Sequence, residues 1–128
     1  MELQVVSLLQ SKLLKQLNFE WITNDFYLGG LLLCDPVGFL SEKTDNLFLA
    51  PTVQLSLKWL REIHNIFVDI STDQTMEPKY VYSVTEYLDH NWNNILYPST
   101  YSDIFYTYES ASSEALDQSI LYLLSKIT

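Results

Sequence analysis

The sequence predicts an α+β fold, three helices packed on a small antiparallel sheet, in a single domain spanning residues 1–128. Three observations lead there. Apolar residues recur at three- and four-residue spacing in three separate stretches, which is the period of a helix with one buried face. Between the second and third stretches the period drops to two, as in strands. With 48% hydrophobic residues, and only three glycines and four prolines in 128, the chain has material for one core and no low-complexity character.

The first helix is expected over 2–19. Val5, Leu8, Leu9, Leu13 and Leu17 form its apolar stripe, with Gln4, Ser11, Lys12 and Lys15 between them. Asn18 is a suitable stop, because Asn tolerates the left-handed conformation that closes helices. Short extended segments are expected near 26–34 and 37–41. Gly29–Gly30 and Asp35–Pro36 are turn signals around them, and 41–46 reads as a polar loop. The glycine pair lacks the spacing and the following Gly-Lys of a phosphate-binding loop.

A second helix is expected over 52–64. Pro51 suits a first turn, Thr52 suits a cap, and Leu55, Trp59 and Ile63 repeat every four residues with Leu60 beside them. Ile66, Val68 and Ile70 then alternate, so the period changes across His64–Asn65. This decides how the cluster of Arg61, Glu62 and His64 is read. Cations in the last turn satisfy free carbonyls and the negative helix end, and Asn65 fits the position just beyond it. The cluster is a helix terminus, not a reacting constellation.

Residues 80–88 are rich in β-branched and aromatic residues and form a strand antiparallel to 66–70, joined by a polar hairpin loop. Tyr80, Tyr82, Val84 and Leu88 share one face, on which Glu86 is the exception. Residues 89–103 read as an irregular Asn-, Ser- and Tyr-rich segment with an extended stretch near Ile95–Tyr97, followed by a short strand at 104–106. A last helix covers 108–127, with Thr107 as N-cap and Ala111, Ala115, Ile120, Leu123, Leu124 and Ile127 as its stripe.

Composition narrows function more than motifs do. Sixteen Asp and Glu face seven Lys and Arg, a net charge of −9, and no Lys or Arg occurs from Tyr80 to Ser125. This disfavours direct binding to a phosphate backbone or an anionic membrane, both of which call for basic residues. An acidic decoy imitating nucleic acid would want carboxylates in excess; here they are merely unopposed. No apolar run approaches the ~20 residues of a membrane span, and the N-terminus reads as a helix and not as a secretion signal. The single cysteine, Cys34, excludes an internal disulfide and suits a reducing compartment. Cys34 is expected to be a small buried apolar group.

No catalytic, cofactor or metal site is legible. Cys34, His64 and His90 are isolated, and Asp89–His90 lacks the third partner of an acid–base site. The remaining signal is aromatic. Eight of the nine tyrosines lie between 80 and 122, in the stretch without Lys or Arg. Tyr joins an apolar ring to a polar tip and suits interfaces. The candidate protein-binding surface is therefore Asp89, Trp92, Tyr97, Tyr101, Asp103 and Tyr106. Its expected partner is a protein with a basic surface, and a homo-oligomer is the second possibility.

"APTVQLSLKWLREIHNIFVDI", a Tyr-rich strand, and "FYTYESASSEALDQSILYLLSKI" resemble small uncharacterised proteins of phages and mobile elements of gut anaerobes. The shared pattern is Ala-Pro-Thr, a helix ending Trp-Leu-Arg-Glu, an extended segment, and a terminal helix opened by Thr-Tyr-Glu. It covers roughly residues 50–127, and the Asn/Tyr segment at 89–103 is longer here. The resemblance implies a phage or prophage origin and a place in the cytoplasm of the bacterial host. It implies no activity and no catalytic residue. A non-enzymatic, phage- or prophage-encoded protein-binding module that meets a host or phage protein is the first expectation; a small structural or accessory part of a phage particle, or a homo-oligomer, is the second.

Overall fold

The computed structural model describes residues 4–21, 23, 25–34, 47–73, 79–96, 105 and 107–127. It has three helices and two three-stranded antiparallel sheets, so the α+β class holds, with two sheets where the sequence suggested one. Contacts divide the chain into two units, Met1–Val53 with Ile120–Thr128, and Gln54–Ser119.

In the first unit, α1 spans Leu8–Gln16. It starts six residues later than the periodicity suggests, because the preceding residues are claimed by another segment. Val6 N–H donates to the Pro51 carbonyl (3.0 Å), Val53 N–H donates to the Gln4 carbonyl (2.8 Å), and Val5 bridges Thr52 antiparallel. The β-branched Val5 and Val6 suit this extended course. The helix begins where Ser7 closes a capping box: Ser7 Oγ accepts from Gln10 N–H (3.1 Å) and Gln10 Oε1 accepts from Ser7 N–H (2.9 Å). Gln10 is thereby drawn inward. The buried face is Gln10, Ser11, Leu14 and Leu17, rotated from the expected stripe, and Leu9 is 65% exposed.

Asn18 ends α1 as expected, at φ 63°. Phe19 N–H reaches the Leu14 carbonyl and Asn18 N–H the Lys15 carbonyl, both at 3.0 Å. These are the two bonds of a Schellman closure, and Leu14 and Phe19, at the two positions that are commonly apolar in it, are both buried.

Strands β1 (Asp25–Leu28) and β2 (Leu31–Cys34) form a hairpin around Gly29–Gly30, whose φ of 60° and 82° are what a two-residue turn of this kind requires. Strand β3 (Leu47–Leu49), absent from the sequence expectation, pairs with the other side of β1. Tyr27 Oη donates to the Val6 carbonyl at 2.8 Å. The segments expected at 37–41 and 41–46 lie outside the described residues.

Helix α2 (Val53–His64), in the second unit from Gln54 onward, ends at Asn65, again left-handed at φ 56°. The chain passes directly into β4 (Ile66–Asp73), and the Asn65 carbonyl accepts from Tyr87 N–H at 3.0 Å. Trp59 is buried at 2% exposure, as are Val53, Ser56 and Leu60. Ile63, four residues after Trp59 in the last turn, is 54% exposed, against the expected apolar stripe. Leu55 is half-buried.

Strand β5 (Lys79–Leu88) pairs antiparallel with β4 and with β6 (Asn91–Leu96). Segment 91–96 is thus a strand where the sequence suggested a mostly irregular stretch. A register shift after Val84 marks a bulge between Asn94 and Leu96. Phe105 bridges Tyr80 through two backbone bonds (2.7 and 3.0 Å), while 104 and 106 lie outside the described residues. On β5, Tyr82, Val84 and Glu86 are buried, so the expected exception, Glu86, lies on the core face at 4% exposure.

Helix α3 spans Tyr108–Ile127. Thr107 caps it as expected, with Oγ1 accepting from Ser110 N–H at 3.0 Å. Its buried positions include Ala111, Ser112, Ala115, Leu116, Ser119, Ile120 and Leu123, whereas Ile127 is 67% exposed. The buried serines send their hydroxyls to carbonyls one turn back, Ser112 to Tyr108 and Ser119 to Ala115, each at 2.8 Å. That lets a polar residue occupy the apolar stripe without an unmet hydrogen bond.

Candidate functional site: an aromatic cluster on the outer face of the second sheet

Asp89 and His90 are the two central residues of the β5–β6 turn, with φ of 53° and 65°. A two-residue hairpin needs positive φ at both positions, and Asp and His are among the non-glycine residues that tolerate it. Both are exposed, and the Asn91 side-chain amide donates to the Asp89 carbonyl at 3.2 Å. Both residues thus have a conformational place, as the two central residues of a tight turn.

This turn sets the register that builds the site. It places Leu88 opposite Asn91 and Tyr87 opposite Trp92. In such a hairpin the pair nearest the turn exchanges hydrogen bonds, so Tyr87 and Trp92 form the next, non-bonded pair, where side chains approach most closely. Their ring centroids are 4.9 Å apart. On the opposite side of β5, Phe67 lies beside Thr85, whose hydroxyl donates to the Phe67 carbonyl at 3.4 Å. The Phe67 ring reaches across to Trp92, with centroids 4.9 Å apart and planes at 66°. One three-stranded face thus carries a continuous trio of Phe67, Tyr87 and Trp92.

Alternation places Phe67, Asp69, Ser83, Thr85, Tyr87, Trp92 and Asn94 on this face, away from buried Tyr82, Val84 and Glu86. Trp92 keeps 59% of its surface exposed and Tyr87 keeps 36%, even with their ring contacts. Asp69 and Asp89 are exposed carboxylates on or next to the face. An exposed aromatic patch rimmed by polar and acidic groups has the composition of a contact surface.

Of the residues singled out from sequence, Asp89 and Trp92 lie at this hairpin. Tyr97, Tyr101, Asp103 and Tyr106 lie outside the described residues. Phe67 and Tyr87 were missed. The available signal was Phe67 itself, an aromatic residue at the polar phase of an alternating strand.

Arg61 and His64 lie in the last turn of α2, with Glu62 between them, so the cluster does sit at a helix end. Arg61 and Glu62 are exposed, and the half-buried His64 ring meets the Trp59 ring edge-on at 4.6 Å and 71°. Cys34 is exposed at the end of β2, against expectation: among the described residues β2 is an edge strand, and all four of its residues are exposed. Among the described residues no cluster of three His, Cys, Asp or Glu could hold a metal ion, and no helix is long and apolar enough to cross a membrane. No protein-family model, curated protein or solved structure matches the chain.

Proposed function

We propose that this chain is a non-enzymatic protein-binding module that docks a basic protein surface on the Trp92 face of its second sheet. The observation that carries the reading is Trp92: 59% exposed, yet in contact with rings from both other strands of its sheet. Rigid, solvent-facing aromatic anchors supply contact area at low entropic cost and are the usual centres of binding energy. Asp69 and Asp89 beside the trio, in a chain with no Lys or Arg from 80 to 125, would steer a cationic partner and repel anionic ones. Tyr97, Tyr101, Asp103 and Tyr106, singled out from the sequence, lie outside the described residues and enter the proposal as candidates to be tested by substitution. The resemblance to phage and mobile-element proteins makes a host or phage protein in the bacterial cytoplasm the proposed partner, and a role inside a phage particle the second reading.

The test is capture of a partner from host lysate, followed by purified binding measurements on variants checked for folding. Trp92→Ala should weaken binding at least about tenfold, as expected for a central aromatic anchor. Tyr97→Ala/Tyr101→Ala should weaken it too, and Arg61→Ala, on the exposed end of α2, should not. Binding should fall as salt rises from about 0.05 to 0.5 M, because long-range attraction is screened. Loss in Arg61→Ala with Trp92→Ala intact would move the surface to the end of α2 and refute this assignment.

A further inference from the structure

The register of the second sheet places the Phe67–Tyr87–Trp92 trio between two carboxylates. Asp89 is in the β5–β6 turn, three residues before Trp92. Asp69, opposite Ser83, follows Phe67 on the same face of β4, about 7 Å further from that turn. Both carboxylates are exposed, as is Asn94, which follows Trp92 on its own strand face. On the three strands the only basic residue is Lys79, eight residues before Tyr87, or about 27 Å along β5.

The chain covers other rings with its own cations. Lys12 and Lys15 lie over Phe48, at 5.7 and 4.9 Å from the ring centroid, and Lys126 lies over Tyr122 at 4.9 Å. Among the described residues no cation of the chain lies over Phe67, Tyr87 or Trp92. Both ring contacts of Trp92 are inclined, 66° with Phe67 and 52° with Tyr87, so neither neighbour stacks flat on the indole. More than half of the Trp92 surface stays open to solvent.

We infer that the occupant of this face is an arginine side chain of the partner protein, its guanidinium stacked on the Trp92 ring and its in-plane N–H groups turned to the flanking carboxylates. The inference rests on the docking reading above and adds what is recognised. The chemistry selects the occupant. Among aromatic side chains indole attracts a cation to its face most strongly, so it favours a charged group over a neutral one. Asp69 and Asp89 favour the same sign and repel an anion. A guanidinium is planar and weakly hydrated, so it stacks on a ring while its N–H groups remain free for carboxylates; an ammonium must shed tightly held water to do the first. An aliphatic or aromatic side chain would cover the ring but leave both carboxylates unused.

NMR titration reads this through the indole N–H signals. The chain has three tryptophans, Trp21, Trp59 and Trp92, and Trp92→Phe assigns the signal of the third. The probe is a capped Gly-Arg-Gly peptide. A capped Gly-Lys-Gly peptide is the charge-matched control, and the citrulline peptide, with sodium chloride matched, is the neutral isostere. One side chain binds weakly, with Kd of about 1 mM or above. The expected result is saturable movement of the Trp92 indole signal by the arginine peptide, with that of buried Trp59 unmoved. The lysine peptide should bind at least about threefold more weakly and the citrulline peptide at least about tenfold. Trp92→Leu, which keeps an apolar side chain and removes the ring, should abolish binding followed at the Thr85 and Tyr87 amides. Asp69→Asn with Asp89→Asn should weaken it at least about threefold, whereas Glu62→Gln, which removes an exposed charge from α2, should leave it unchanged. Lysine or citrulline binding as well as arginine, free arginine binding more tightly than the capped peptide, unchanged binding in Trp92→Leu, or a Trp92 indole unmoved at about 50 mM peptide would overturn the inference. A chain that captures a protein through Trp92 yet gives no response to the arginine peptide overturns this inference alone. Capture left intact by Trp92→Ala overturns the docking reading, and this one with it.

Discussion

Trp59→Ala is the most informative single perturbation of the folded chain. Trp59 is 2% exposed and its ring meets His64 at 4.6 Å. A buried aromatic removes about 150–250 Å² from water. At ~25 cal/mol per Å² this is about 4–6 kcal/mol, an upper bound because real unfolded chains already bury some of it. Measured truncations of buried Phe and Trp give about 3–5 kcal/mol, cavity included. A loss of that size is a large part of the ~5–15 kcal/mol that holds a domain together. At about 2.1 cal/mol/K of unfolding entropy per residue, each kcal/mol moves the midpoint of a chain this long by about 4 °C, so Tm should fall by about 10–20 °C. Thermal unfolding followed by circular dichroism measures it, with Ile63→Ala as control. Ile63 is four residues on in the same helix but 54% exposed, and its truncation should change stability by less than about 0.5 kcal/mol. A Trp59→Ala protein melting within about 3 °C of the parent, or an Ile63→Ala protein destabilised as much as Trp59→Ala, would refute this reading of the α2 face.

Two further outcomes test local conformation. His90→Gly should stabilise the chain by about 0.5–1 kcal/mol in urea titration, because His90 holds φ 65° and glycine takes that region without a Cβ penalty; the gain is trimmed by glycine's freedom in the unfolded chain, and destabilisation would contradict the tight-turn geometry. Ser7→Ala should destabilise by about 1 kcal/mol through loss of the capping box with Gln10, and no change would place the start of α1 elsewhere.

Features written in a few adjacent residues were legible in advance. Asn18 and Asn65 both close helices at positive φ, Gly29–Gly30 turns a hairpin, and Thr107 caps α3. Each depends on the conformation or cap that one residue type favours in its own stretch of backbone, so a few adjacent residues are enough to suggest it. Glu86 shows where that rule stops. Alternation put it on the core face of β5 and its charge argued against burial; the periodicity won.

The sequence by itself therefore determined the α+β class, the three helices, the β4–β5 pairing and the acidic, lysine-poor character of residues 80–125. Tertiary structure alone decided the start of α1, because Val5 and Val6 are claimed by Pro51–Thr52, some 45 residues away. It alone made 91–96 a strand, since Asn is a poor strand former and only pairing with β5 and the packing of Trp92 on Tyr87 and Phe67 offset that preference. It alone recruited β3 to β1, gave two sheets in place of one, and left Leu31–Cys34 exposed on what is, among the described residues, an edge strand. The physical reason is the same in each case. Period and propensity say which side of an element is apolar, but which neighbour covers it, and which edge is left uncovered, depends on strand register and order, and these are settled by contacts between residues far apart in the chain.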